Sequence, residues 1–213
     1  PTSDHRHATR FVGCVAGEVL REVDGPRRWT VPLFDDPSVN AFAVPGRHVG
    51  VFAGMLDVTK NQDQLATVVA HEIGHLVADH SRERVSQALL VQGGLLAVSE
   101  LMRDVEQRQL RLGALGLGAQ LGILMPYSRI QESEADEIGL GLMARAGFDP
   151  REAIALWRNM RRERGDGPPA FLSTHPSPQS RIEQLAAWQG AVRGDYRAAV
   201  RRGGRPRCGA PRR

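Results

Sequence analysis

The stretch Val69-Ala70-His71-Glu72-Ile73-Gly74-His75-Leu76-Val77 decides how the rest of the chain is read. Leu65, Val68, Val69, Ile73, Leu76 and Val77 recur at helical spacing, so an amphipathic helix is expected here, with Asn61 or Asp63 as its cap. On that helix His71 and His75 stand four residues apart and project from one face, so two imidazoles can reach one metal ion. Zinc suits neutral imidazole nitrogen at roughly 2.0–2.1 Å. Glu72 follows the first histidine directly and can lean its carboxylate over the same site. Zinc lowers the pKa of a bound water to about 7, and a carboxylate so placed can accept its proton as it attacks a peptide carbonyl. Two ordinary surface histidines are the bland alternative. The apolar residues on both sides of the motif weigh against it.

Two histidines and a water leave one protein ligand to find. A third histidine ten positions after His71 would make the chain a metzincin, but Ser81 stands there and Ala78 replaces the required glycine. Downstream lies Gln131-Glu132-Ser133-Glu134-Ala135-Asp136, where Glu132 and Asp136 are four apart and share a helix face. One can bind the metal while the other accepts the ring N–H of a ligand histidine. Glu134 is expected to face elsewhere, in solvent, although spacing alone leaves it open as a ligand. His80, five positions past His75, falls off the ligand face and reads as structural.

Working outward, a helix is expected over residues 8–23, broken by Gly25-Pro26. Extended runs at residues 29–34, 39–44 and 48–53 suggest a small antiparallel sheet near the N-terminal side. Beyond Gly54 the pattern is helical, with further helices over residues 83–102, 105–124, 129–146, 151–162 and 177–188. Pro126 separates two of them, and Gly147-Phe148-Asp149-Pro150 stops one and caps the next. The expected fold class is therefore α+β, mostly α. Residues 110–125, with a Gly118-x-x-x-Gly122 spacing, and residues 89–98 are apolar but short of the ~20 residues a membrane span needs. Both are expected as buried helices packed closely through small residues.

The 213 residues suit one core, and 41% hydrophobic with 24% charged residues describes a globular chain. Residues 1–199 are expected to form a single domain. Residues 200–213, with Arg201, Arg202, Arg205, Arg207, Arg212 and Arg213 among Gly and Pro, read as a basic, disordered tail. Such an end is ordinarily just solvated, so no specific nucleic-acid partner is expected. Cys14 and Cys208 sit in no C-x-x-C pair. A disulfide between them would tie the tail to the first helix and imply an oxidising compartment, but two isolated thiols leave the pairing open. The first ten residues are polar and carry no signal-peptide pattern.

The joint motifs carry a resemblance. H-E-x-x-H is followed by E-x-x-x-D at Glu132 and Asp136, with Ser128-Arg129 before the glutamate. Asn40-Ala41-Phe42-Ala43-Val44-Pro45-Gly46 and Thr174-His175-Pro176 with Arg181 add to it. Over about residues 29–188 the chain resembles the zinc metallopeptidases of family M48, in their soluble BepA/LoiP/Oma1-like branch. The resemblance implies a helical zincin-type domain holding one zinc ion on His71, His75 and Glu132. It implies Glu72 as catalytic base and Asp136 as the partner of a ligand histidine. It places His175 at or near the open zinc position, as a latch or as a loop residue beside the cleft, and Arg181 either at the developing oxyanion or in a salt bridge. Asn40, Ala41 and Phe42 would form an edge strand that aligns substrate backbone. The implied function is zinc-dependent endoproteolysis of extended or misfolded protein in quality control, with a latent or inactive zinc-binding holdase or scaffold as the alternative. The implied setting is the bacterial periplasm or envelope, with peripheral or lipid-anchored membrane association through a segment outside these residues, and a mitochondrial setting as the lesser alternative.

Overall fold

The computed structural model describes residues 3–25, 28–103, 107–119, 125–162, 169–175 and 179–210. In chain order these form α1 (Ser3–Leu20), β1 (Leu33–Phe34), β2 (Ala41–Val44), β3 (His48–Phe52), α2 (Met55–Val58), α3 (Gln62–Val77), α4 (His80–Leu101), α5 (Arg108–Ala119), α6 (Met125–Arg145), α7 (Glu152–Arg162), α8 (Ala170–Thr174) and α9 (Gln179–Arg201). A mostly helical chain with one small sheet is what the sequence patterns predict. Pro126 falls in the first turn of α6 rather than between elements, where its missing N–H leaves no intrahelical bond unmade. The short α8 was not anticipated, and α9 runs on past Trp188 to Arg201.

Helix α3 organises the core. Asn61 caps it, its side chain accepting from the Gln64 backbone N–H at 2.9 Å. Residues 63–75 are all buried, because the helix is covered on several sides at once. Phe11, Val12, Val15 and Val19 of α1, Val49 and Val51 of β3, Leu140 and Met143 of α6, and Leu156, Trp157 and Met160 of α7 join Leu65, Val68, Val69 and Ile73 in one cluster. Each such side chain contributes about 1.5–3 kcal/mol of transfer free energy. Against α6 the approach is backbone to backbone. A Cβ on Gly74 would lie 2.7 Å from the Ala135 carbonyl oxygen, and one on Gly139 would lie 3.0 Å from the Ala70 carbonyl carbon and the His71 nitrogen. The end of α6 is a Schellman stop: Gly147 has φ +84°, and the Phe148 N–H reaches the Met143 carbonyl at 2.9 Å.

The sheet is mixed, not antiparallel throughout. Its order is β1-β3-β2. β2 and β3 form the expected antiparallel hairpin, with Ala41 opposite Val51 and Val44 opposite His48. β1 instead pairs parallel with β3, Leu33 against Val51 and Phe34 against Phe52. The hairpin closes one edge of β3, so the earlier strand can join only at the other edge, where it runs in the direction of β3. The outer edge of β2 carries no strand partner among the described residues.

Two further expectations are corrected. Described residues of the expected tail make specific contacts with the rest of the fold, despite their disorder-like composition. Gln62 donates to the Pro206 carbonyl at 2.7 Å and accepts from the Cys208 backbone N–H at 2.8 Å, and Cys208 is disulfide-bonded to Cys14 on α1. Specific partners on α1 and α3 thus offset the entropy that composition alone would leave dominant. The apolar stretches read as buried are also largely exposed over their described residues. His80 is the only buried residue of α4, and α5 has none among its described residues, while Leu90, Leu96, Leu101 and Leu110 are largely exposed. Helix α4 leaves the core after its first turns, and α5 packs back on α4. Gly122 lies outside the described residues. No helix of the described residues is long and apolar enough to cross a membrane.

Candidate metal centre

Three helices and one loop converge on a buried cluster. Helix α3 supplies His71, Glu72 and His75, α6 supplies Glu132 and Asp136, His175 follows α8, and Arg181 stands in the first turn of α9. All seven are buried. The small residues explain how α3 and α6 come so close. Ala70 and Gly74 meet Ala135 and Gly139, each pair four apart, and the polar pairs His71/His75 and Glu132/Asp136 repeat at the same interval beside them.

His71, His75, Glu132 and His175 each offer a ligand atom within 4.8 Å of the others. His71 Nε2 lies 3.1 Å from His75 Nε2, 3.2 Å from His175 Nδ1 and 3.2 Å from Glu132 Oε2. His75 Nε2 lies 3.3 Å from Glu132 Oε1, and His175 Nδ1 lies 2.9 Å from Glu132 Oε2. Donors on a tetrahedron about zinc at ~2.0–2.1 Å stand roughly 3.3 Å apart, so these spacings fit that ion. Tautomers make the same point. Asp136 Oδ1, 3.0 Å from His71 Nδ1, calls for the proton on that nitrogen. In the neutral ring Nε2 then presents a bare lone pair beside a carboxylate and two more imidazoles. A cation resolves that convergence of acceptors. Glu72 Oε1 is buried with no hydrogen-bond partner among the described residues, 3.4 Å from His175 Nε2. A buried oxygen of this kind calls for a proton donor.

The two carboxylates of the cluster are held in their charged form. Burial opposes ionisation of Glu132, but hydrogen bonds from His175, His71 and His75 hold its pKa well below the usual carboxylate range. Asp136 is likewise held low against its burial by Arg181 and His71. For His71, burial and the Arg181 charge push downward, yet hydrogen bonds to Asp136 and Glu132 prevail and raise its pKa to about 9. Burial prevails at His75 and lowers it to about 3.

Arg181 is fully engaged. It grips Asp136 through Nε and, at 2.8 Å, through Nη2; its Nη1 lies 3.2 Å from Glu132 Oε2, and it stacks over the Trp157 ring at 4.1 Å. Asn40 and Ala41 are held in the hairpin, Asn40 O accepting from Phe52 N at 3.1 Å, and the Phe42 ring covers Gly50, where a Cβ would come within 2.4 Å of it. The Phe171 N–H of α8 donates to the Val39 carbonyl at 3.1 Å, joining the segment that bears His175 to the entrance of β2.

Sequence reasoning missed three contacts around the site. His80, structural as expected, places its Nδ1 2.9 Å from His75 Nδ1, and its Nε2 lies 3.2 Å from Oε2 of Glu134, which stays half exposed. Arg84 reaches Glu132 Oε1 at 3.1 Å and Gln131 Oε1 at 2.8 Å. The spacing of Arg84 four residues after His80 was the available signal, but it gains meaning only once the start of α4 is known.

The family model for peptidase family M48 matches residues 8–189. The chain belongs to this family. It is 40% identical over 170 residues to the mitochondrial metalloendopeptidase OMA1 of Schizosaccharomyces pombe, covering 76% of this chain and 47% of that protein. Against the mitochondrial metalloendopeptidase OMA1 of Homo sapiens the identity is 33% over 190 residues, 84% of this chain and 36% of that protein. The β-barrel assembly-enhancing protease of Escherichia coli matches at 29% over 157 residues, 70% of this chain and 32% of that protein. The chain thus spans a third to a half of the length of these curated relatives. The expected periplasmic setting is corrected by these findings, since relatives from yeasts, plant and animals at 33–40% identity carry mitochondrial names and the bacterial proteases match at 29–32%. Motifs shared by the whole branch could not make that distinction.

Proposed function

We propose that this chain is the peptidase domain of a zinc-dependent endopeptidase that cleaves extended or misfolded protein segments in protein quality control. The observation that carries the reading is the arrival of Glu132, from a distant helix, within 3.3 Å of the Nε2 atoms of both His71 and His75. His71, His75 and Glu132 would hold the ion, and Asp136 would fix the ring of His71. Bound zinc supplies Lewis acidity, polarising the scissile carbonyl and acidifying a water. Glu72, with its unpaired oxygen inside the site, accepts a proton from the attacking water and returns it to the leaving amine. Arg181 orients Asp136 and Glu132 from behind. The open edge of β2, with Asn40, Ala41 and Phe42, would align substrate backbone by strand addition.

His175 fills the fourth corner of the cluster, the position that substrate and water need. That observation supports a latent resting state and gives the holdase reading its one foothold. Replacing Glu72 with Gln is expected to leave zinc content intact and to reduce cleavage of an unfolded protein by about 10²–10⁴-fold. Cleavage at the wild-type rate would refute the assignment of the base. His175→Ala is expected to bind zinc and cleave at least as fast as wild type. Zinc binding with no turnover in that variant would favour the holdase.

A further inference from the structure

The two histidines of the motif are supported in different ways. His71 meets the Asp136 carboxylate directly. His75 has no carboxylate at its Nδ1, and that nitrogen faces His80 Nδ1 at 2.9 Å. We propose that His80, anchored in turn by Glu134, is the positioning residue that fixes the ring of His75 for metal binding. The inference rests on the reading that His75 is a ligand and adds the device that holds it there.

Hydrogen-bond logic allows one arrangement of neutral rings. If His75 Nε2 presents its lone pair to a metal, its proton sits on Nδ1. His80 Nδ1 must then accept, which places the His80 proton on Nε2, and that N–H faces Glu134 Oε2 at 3.2 Å. Both contacts in the row His75–His80–Glu134 then pair a donor with an acceptor. His80 is buried, so its ring nitrogens need such partners. The carboxylate at the far end strengthens the row, as a carboxylate does for a ligand histidine it touches directly.

The backbone has to be bent to deliver this ring. In a continuous helix a residue five positions after His75 lies some 140° around the axis from it. Asp79 breaks the helix with φ 58° and ψ 22°, a left-handed conformation that Asp tolerates better than most residues. The turn ends α3 and starts α4 with His80 aimed back at His75. Four residues later Arg84 holds Glu132, so the first two turns of α4 support two of the three proposed ligands.

The test is zinc affinity, measured by competition with a chelator on metal-free protein, beside the melting temperature of that metal-free protein. His80→Leu keeps the bulk but lacks an acceptor, and is expected to bind zinc about 10–100-fold more weakly. His80→Asn places an amide oxygen near the Nδ1 position and an amide donor toward Glu134, and should recover most of that loss. Glu134 is half exposed, so Glu134→Gln cannot disturb the core; it should weaken zinc binding roughly 3- to 10-fold with an unchanged metal-free melting temperature. Glu134→Gln binding zinc as tightly as wild type would overturn the relay, even if His80→Leu fails to fold. His75→Ala separates the two levels: wild-type affinity in that variant would sink the ligand assignment itself.

Discussion

Helices α3 and α6 and helices α4 and α5 are two glycine-bearing pairs that use the residue in opposite ways. In the first pair, added methyl groups on Gly74 and Gly139 would strike backbone atoms of the partner helix at 2.7 and 3.0 Å. In the second, among the described residues, nothing lies within 4 Å of a Cβ on Gly93, Gly94, Gly113 or Gly118, and Gly116 meets Leu95 alone, at 3.9 Å. The first pair is largely buried and carries the His71, His75, Glu132 and Asp136 side chains of the candidate metal site. The second is exposed and rich in leucine that the core does not use. A glycine therefore signals close packing only where another backbone occupies the space its side chain would take. That is a tertiary fact.

The comparison breaks most visibly at Gly139. Gly139→Leu puts a branched side chain where the Ala70–His71 backbone stands, and no rotamer removes the conflict at its Cβ. The helices would have to part, costing about 3 kcal/mol or more. At roughly 2–4 °C per kcal/mol for a chain of this size, the melting temperature should fall by about 10 °C, and zinc content should fall with it. Calorimetry with metal analysis checks both. A melting temperature within about 2 °C of wild type would mean that the α3–α6 approach is looser than described.

Much of this architecture was legible, and the boundary follows range. The motif helix was readable because its signals are local: a cap at Asn61, apolar residues at helical spacing, and two histidines four apart. Glu132 lies some sixty residues away, and only the combination of E-x-x-x-D with the motif, through a family resemblance, singled it out among three neighbouring carboxylates. The contact of His80 with His75 was hidden because a single left-handed residue, Asp79, redirects the chain, and nothing in Val-Ala-Asp-His announces that turn. The parallel pairing of β1 was hidden because alternation reports a strand's faces and not its direction. The C-terminal segment was misjudged because its specific contacts are with Gln62 and Cys14, residues far away in the chain. In the helix pairs, Gly118-x-x-x-Gly122 looked like the packing motif. The small residues that actually meet are Ala70 with Gly74 and Ala135 with Gly139.

Gly74→Ala sharpens the comparison at smaller scale. One methyl would sit 2.7 Å from the Ala135 carbonyl oxygen, a backbone atom that cannot rotate away. Overpacking of that kind costs about 1–3 kcal/mol, while replacing a helical glycine returns close to 1 kcal/mol of propensity. A net loss of about 1–2 kcal/mol in denaturant unfolding is expected. Zinc affinity should fall as well, because the shift falls between His71 and His75 on one side and Glu132 and Asp136 on the other. A stabilised variant would show that α3 and α6 can separate without harm.

The same change in α4 should act in the opposite direction. Gly94 sits within α4 with open space around its Cα, so Gly94→Ala meets no clash and removes only the entropic penalty of a helical glycine, about 0.8–1 kcal/mol. That gain stays local, because beyond its first turn α4 contributes no residue to the buried core. Amide exchange along α4 should slow by up to about fivefold, while the global unfolding midpoint moves by less than about 0.5 kcal/mol. Zinc affinity should not change, since His80 and Arg84 lie more than two helical turns away from the substitution. A loss like that of Gly74→Ala would carry a different meaning. It would place a partner surface against this face of α4, and the exposed leucines would then belong to an interface rather than to solvent.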